Sequence, residues 1–278
     1  MKKTINILLI LLLTLCVFGC ANNGGNNTVE GNDPSKQEET IKDEWLCTRI
    51  TYYNTDGSIA SYIVSTYDEE GRLLNNEEYN GNNELISTTK STYDEKGRES
   101  EYVLYDAKGE IDIRGVYEYD DKDRVIKETD YHGDGTVADS YTNEYDSEGR
   151  LIHSENKTED EKLSMKTDYE YNDQGEVAKT YYDFYGYDTW YYVFEYSNGV
   201  LVRRTMYNSK DEVDSVDVYK YSEKDPKLNE SVESYDSNNK LKYRTEYRYD
   251  EYGNMISSAM FDPEGNMLTM TEYEFKKK

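Results

Sequence analysis

Aromatic and aliphatic residues in this chain fall in pairs six positions apart. Tyr67 is followed by Leu73, Tyr119 by Val125, Tyr145 by Leu151 and Tyr171 by Val177. The same spacing joins Tyr53 to Ile59, Tyr79 to Leu85, Tyr105 to Ile111, Tyr131 to Val137, Tyr207 to Val213, Tyr235 to Leu241 and Phe261 to Met267. Polar turn residues fill the gap, as in Asp68-Glu69-Glu70-Gly71-Arg72. An Asp at the first turn position bonds backbone two residues on, and Gly at the fourth accepts positive φ. A type I turn followed by a left-handed Gly predicts a β-hairpin with a bulge. Tyr67 then faces Leu73 on one side of the sheet and Asp68 faces Arg72 on the other. Each such cross-strand pair contributes about 0.2–1 kcal/mol.

The strongest copies, Tyr67-Asp68, Tyr93-Asp94, Tyr119-Asp120, Tyr145-Asp146 and Tyr171-Asn172, recur every 26 residues. A fixed period of this size marks a repeat architecture. With the intervening turns, the unit is two hairpins. Turn spacing alternates 14 and 12 residues from Tyr53 to Tyr145, which predicts strands of about nine and seven residues when no bulge intervenes. The steady register slip this implies tilts strands and curls a sheet. The strand segments are thin in apolar residues, as in Leu85-Ile86-Ser87-Thr88-Thr89-Lys90-Ser91-Thr92-Tyr93. The expected fold is therefore all-β: an elongated antiparallel β-meander of tandem ~26-residue hairpin repeats, forming a coiled or curled sheet whose neighbours support each other. Little helix is expected, because no segment sustains a 3.6-residue period. Tyr93 is followed by Glu99, position 157 is Lys, and the turns near Tyr196 and Tyr221 are displaced.

Three segments divide the chain. Residues 1–19 form a signal peptide, with Lys2 and Lys3 ahead of an apolar run from Ile7 to Leu13. The run is too short to span a bilayer comfortably. Its end, Val17-Phe18-Gly19-Cys20, resembles the lipobox of bacterial lipoproteins, which implies cleavage before Cys20 and lipid on that Cys. An ordinary signal peptide with an incidental Cys is the alternative. Residues 20–43, rich in Asn, Gly and acids, form a lipidated, disordered tether. Residues 44–278 hold the repeats and every Tyr in the chain. The expected location is extracytoplasmic, anchored to a bacterial membrane at the cell envelope or surface.

A formal net charge of −26 argues against nucleic acid as a partner and against adsorption on anionic lipid. The acids read as solvated turns and strand faces. Asp120-Asp121-Lys122-Asp123 lacks the spacing of a calcium loop. Of the three Cys, Cys16 leaves with the signal and Cys20 takes the lipid. Cys47 reads as a half-buried residue of the first strand. His132 and His153 stand in no metal-ligand spacing and read as exposed. No phosphate loop, dinucleotide fingerprint or nucleophile elbow occurs, so no enzyme activity, cofactor or metal is expected. The Asp68/Arg72, Asp94/Arg98, Asp120/Arg124 and Asp146/Arg150 pairs read as structural, because a turn is repeated four times more readily than a site.

The Tyr-Asp-x-x-Gly-Arg-Leu stretches at 67–73 and 145–151, with weaker copies at 93, 119, 171 and 249, resemble the YD repeats of RHS proteins. That resemblance implies antiparallel strand-turn-strand units coiling into a sheet, which in large RHS toxins forms a shell around a cargo. It carries no catalytic residues over to this chain.

The repeat breaks at Tyr181-Tyr182-Asp183-Phe184-Tyr185-Gly186-Tyr187-Asp188-Thr189-Trp190-Tyr191-Tyr192. Tyr185, Tyr187, Trp190, Tyr191 and Tyr192 are the candidate ligand-binding residues, since amphipathic rings on a sheet suit sugars or peptides. The competing reading is that these rings fill space inside a curled sheet. The expected function is a non-catalytic surface binding or scaffold module for a glycan, cell wall or protein ligand. The alternative is an envelope structural or toxin-associated partner protein.

Overall fold

The computed structural model describes residues 45–159, 162–185 and 188–278. The expected signal peptide, Cys16, Cys20 and the tether lie outside the described residues, as does Tyr187. Eighteen strands follow one another. They are β1 (Trp45–Tyr53), β2 (Ile59–Tyr67), β3 (Leu73–Asn80), β4 (Leu85–Tyr93), β5 (Glu99–Asp106), β6 (Ile111–Tyr119), β7 (Val125–His132), β8 (Val137–Tyr145) and β9 (Leu151–Thr158). The second half is β10 (Leu163–Tyr171), β11 (Val177–Phe184), β12 (Asp188–Ser197), β13 (Val200–Asn208), β14 (Val213–Tyr221), β15 (Asn229–Asp236), β16 (Leu241–Tyr249), β17 (Met255–Phe261) and β18 (Met267–Lys277). No α-helix occurs among the described residues.

Each turn is built as its residues require. In the first full copy, Asp68 N–H donates to the Arg72 carbonyl at 2.9 Å and Gly71 N–H to the Asp68 carbonyl at 3.1 Å. Asp68 Oδ1 accepts Arg72 N–H at 2.8 Å, and Oδ2 accepts Arg72 Nε at 2.6 Å. Gly71 sits at φ +80°, and Asp123 takes the same left-handed place in its own turn at φ +64°, a conformation open to Gly and tolerated by Asp. Tyr67 pairs with Leu73, and the ladder shifts register between Thr66 and Tyr67. A like shift accompanies Tyr79 and Leu85. These are the expected bulges. β2 has 9 residues, and β3 has 8 where seven was expected, because Asn80 stays in the ladder opposite Ser61.

The sheet does not stay open. β1 pairs with β2 on one side and with β18 on the other, from Trp45↔Lys277 to Tyr53↔Met270. Every strand therefore has two neighbours, and the expected coiled or curled sheet is in fact a closed β-barrel. Closure removes the two exposed edges that an open meander would carry. An apolar cluster sits at the seam: Cys47, Ile50 and Ile63 are buried, with Tyr52, Tyr273 and Phe275 packed against them. Cys47, expected to be half-buried, is only 1% exposed. The Tyr53 hydroxyl donates to Glu272 across the seam at 2.6 Å. Among the described residues, no strand's Cα atoms come within 8 Å of any strand except its two ring neighbours.

Cross-strand partners share a face, so the ladders sort side chains into two sets. Tyr102 opposes Gly115, Gly115 opposes Asp130, and Asp130 opposes Asp139. On this face burial raises the pKa of Glu128, Asp130, Tyr117 and Tyr141. It is the lumen. The other face carries half-exposed ion pairs, among them Arg114–Glu101 at 2.5 Å, Lys127–Glu118 at 3.4 Å and Lys220–Glu233 at 2.6 Å. Charges in mid-strand are the reverse of the apolar band of a membrane-embedded barrel.

The repeat unit has a direction. Tyr119 lies two residues beyond Tyr117 and so points into the lumen. Tyr79, opposite Tyr62, points outward, as does Tyr105, whose neighbour Val103 opposes Arg114. Aromatic–aliphatic pairs therefore line the lumen at one end of the barrel and the outside at the other. The bulge after each turn causes this. It takes one residue out of the alternation between Leu73 and Tyr79, and so sends them to opposite faces.

Candidate functional site

Sequence alternation divides the aromatic segment. Trp190 and Tyr192 face the lumen and Tyr191 faces outward, because neighbours along a strand point to opposite sides. Tyr185 stands exposed at the β11–β12 hairpin. The rings of Trp190 and Tyr191 thus lie on opposite faces of the sheet, although both border one recess near the β11–β12 hairpin.

On the lumen side Tyr182 stacks on Trp190 with centroids 5.3 Å apart and planes at 7°, and meets Tyr192 edge-on at 5.8 Å. Arg204 lies 4.8 Å from the Tyr192 centroid. Its Nε and a terminal nitrogen donate to Asp217 Oδ2 at 3.0 and 2.7 Å, while Ser234 donates to Oδ1 at 2.6 Å. Burial works against the Arg204 charge, but Tyr219 and Asp217 outweigh it and hold the pKa above the ordinary Arg value.

On the outer side three rings stand in a row across β11, β12 and β13. Tyr181 and Tyr191 are 5.5 Å apart, and Tyr191 and Tyr207 are 4.9 Å apart at 9°. The Tyr191 hydroxyl donates to Asp211 at 3.1 Å. A recess opens here, with Asp168, Tyr181, Asp183, Tyr191, Asn208 and Asp211 in its lining, and it reaches through to Tyr182 and Trp190 of the lumen-side stack. Tyr181, which opens the aromatic segment, and Tyr207, which lies outside it, belong to this site, although neither is among the candidate residues read from the sequence. The signal that finds them is strand register, which places 181, 191 and 207 side by side.

A further group of side chains is almost hidden in the sequence. Tyr102 crosses β6 to reach β7, and its hydroxyl donates to Asp130 at 2.8 Å and to Glu128 at 3.3 Å. It passes over Gly115, where a Cβ would lie 2.0 Å from Tyr102 Cε1. Burial, then the Asp130 charge, pushes the Glu128 carboxyl up to about 8, and burial pushes Asp130 up to about 6. These acids were expected to be solvated. Their lumen position makes them otherwise, and among the described residues no Lys or Arg pairs with either. A Gly in mid-strand is the one trace of this in the sequence, since it marks close approach of another group.

The Asp–Arg pairs are structural, as expected, and hold more than their own turns. Arg72, Arg98, Arg124 and Arg150 each lie over the Tyr of the following unit, 4.3–5.0 Å from the ring centroid. His132 is exposed, and His153 is half-buried with Nδ1 2.5 Å from Asp168. Burial lowers the His153 pKa, but Asp168 and Glu155 outweigh it and raise the value. Among the described residues, no three His, Cys, Asp or Glu are arranged to hold a metal ion.

No family model and no curated protein matches the chain. Solved structures do. A Tc toxin complex, TcdB2-TccC3-Cdc42, is similar over 72% of this chain at 14% identity and TM-score 0.36. The Photorhabdus luminescens Tc holotoxin pore is similar over 77% at 15% identity and TM-score 0.38. The matched parts are 13% and 14% of those toxin chains, so this chain spans only a small part of their length. A porin-like protein from Bacteroides uniformis is similar over 83% of this chain and 98% of its own, at 13% identity and TM-score 0.47. At these identities and scores none of them assigns the chain to a family.

Proposed function

We propose that this chain is a non-catalytic binding module of the cell envelope, built from YD-type repeats and held at a membrane by lipid on Cys20. It binds glycan in the outer recess between β10 and β13. The observation that carries this reading is the row Tyr181–Tyr191–Tyr207 beside Asp183, Asn208 and Asp211. Ring carbon takes the apolar faces of a sugar, and carboxylates and an amide accept and donate to its hydroxyls. The site falls where the repeat is interrupted, so the regular units serve as frame. The outward charges of the barrel support anchoring by lipid rather than by strands.

A glycan array probed with the full chain tests the site. Bound glycans are lost with Tyr191→Ala and weakened with Asp183→Asn. Binding indifferent to Tyr191→Ala overturns the recess as the site. Cys20→Ser releases the chain from membranes; a variant that still sediments with them overturns the anchor.

A further inference from the structure

We propose that the β5–β8 wall of the barrel is a pH-dependent latch, in which one phenolic proton, on Tyr102, ties two lumen carboxyls on β7 to a ring held on β5. The tie is geometric first. Tyr102 reaches Asp130 and Glu128 only because Gly115 leaves room on the strand between them. The groups facing the pair are identified on each element packed against it. β5 supplies Glu99 and Tyr102, β6 supplies Tyr117 and Tyr119, β7 holds the pair itself, and β8 supplies Asp139 and Tyr141. The charges acting on Glu128 are Asp130 and Glu99, and the charge acting on Asp130 is Asp139. All are acids. His132, exposed at the end of β7, acts on Asp139 in the opposite sense.

The states follow from counting protons. With both carboxyls protonated, neither carries charge, and the Tyr102 hydroxyl bonds to them with no repulsion between them. When Asp130 ionises, it keeps the Tyr102 proton at 2.8 Å and Glu128 remains neutral. When Glu128 ionises as well, two charges face one donor in a buried wall, and like charges there repel strongly. Separation of β7 from β5 and β6, with entry of water, relieves this. The latch is thus closed in acid and loosens as pH passes about 8. No such pair faces the β13–β16 wall, where Asp217 has Arg204.

Amide hydrogen exchange of the full chain between pH 5 and 9, corrected for the intrinsic pH dependence of exchange, tests this. Protection of peptides from β5–β8 falls by at least about tenfold between pH 6 and 9, relative to peptides from β13–β16. Glu128→Gln removes the fall. Tyr102→Phe lowers protection of the same peptides already at pH 6. A parallel course for the two walls in the unaltered chain overturns the proposal, even where a variant fails to fold. So does a fall that persists in folded Glu128→Gln.

Discussion

The guanidinium of Arg98 lies 4.3 Å from the centre of the Tyr119 ring, one repeat further along the chain. Its own turn holds it in place through Asp94, at 2.6 Å. Tyr119 in turn donates its hydroxyl to the carbonyl of Glu99, the residue that faces Tyr93. Each unit is therefore bound to the one before it by a ring, a cation and a hydrogen bond, all at the same end of the barrel. The relay recurs at Tyr93, Tyr145 and Tyr171, whose hydroxyls reach Leu73, Val125 and Leu151 at 2.7, 2.8 and 2.7 Å.

The relay predicts unequal worth for tyrosines that look alike in sequence. Tyr145→Phe removes the shorter of two bonds to the Val125 carbonyl, which keeps the Asn143 amide at 3.1 Å, at a cost of about 1 kcal/mol. Tyr131→Phe, on the outer face near Arg114, changes stability by less than about 0.5 kcal/mol. Urea unfolding of the two variants checks this. Equal effects would mean that the hydroxyl relay carries no weight.

Gly115 is predicted to be the least replaceable residue of β6. An Ala there drives a methyl into the Tyr102 ring and costs about 1–3 kcal/mol by overpacking. Because the cost is a clash with one side chain, it is not additive with removal of that side chain. In a double-mutant cycle with Tyr102→Ala, the interaction energy for Gly115→Ala is at least about 1 kcal/mol. Thermal or urea unfolding reads it, and an additive pair shows that the Tyr102 ring does not cause the cost.

The hairpins are legible in the sequence because everything that specifies them lies within a seven-residue stretch. Asp68 and Gly71 determine the turn, and Tyr67 and Leu73 the register. Closure is not legible, since it joins Tyr53 to Glu272, 219 residues away, with no local signal at either. The inside and outside of the barrel are also hidden. Both faces are polar, so period-two alternation shows no contrast in hydropathy between Lys127 and Glu128, or between Thr129 and Asp130. The aromatic segment shows the same limit. Its composition points to a binding region, while the division of Trp190 from Tyr191 depends on which face the lumen occupies.

Buried acids give stability a sign with pH. The Glu128 carboxyl titrates near 8 in the folded barrel, against an ordinary value of 4.5. Between these values the folded state holds a proton that the unfolded chain has lost. Its contribution is fully present below about pH 4.5, declines as pH rises, and is gone above about pH 8. The whole loss is on the order of 5 kcal/mol. Glu128→Gln flattens this part of the profile and stabilises the barrel at pH 8. Urea midpoints at pH 5 and pH 8 measure it, and an unchanged difference in the variant assigns the effect to other groups.

The seam is the remaining point at which the fold can be tested, because it is held by few apolar residues. Ile50 and Ile63 face each other across β1 and β2, and Phe275 reaches them from β18. Ile63→Ala removes apolar volume from this cluster at a cost of about 2–4 kcal/mol. Protection from amide exchange then falls first in β1 and β18 and last in strands far round the ring, such as β9 and β10. Removal of residues 267–278 is the stronger test. It leaves β17 and β1 as open edges, each a row of unpaired backbone donors and acceptors. The shortened chain keeps its hairpins, since those are local, but associates through its edges into dimers or larger species on gel filtration. A shortened chain that stays monomeric with unchanged exchange in β1 and β17 would show that closure adds nothing to the hairpins already in place.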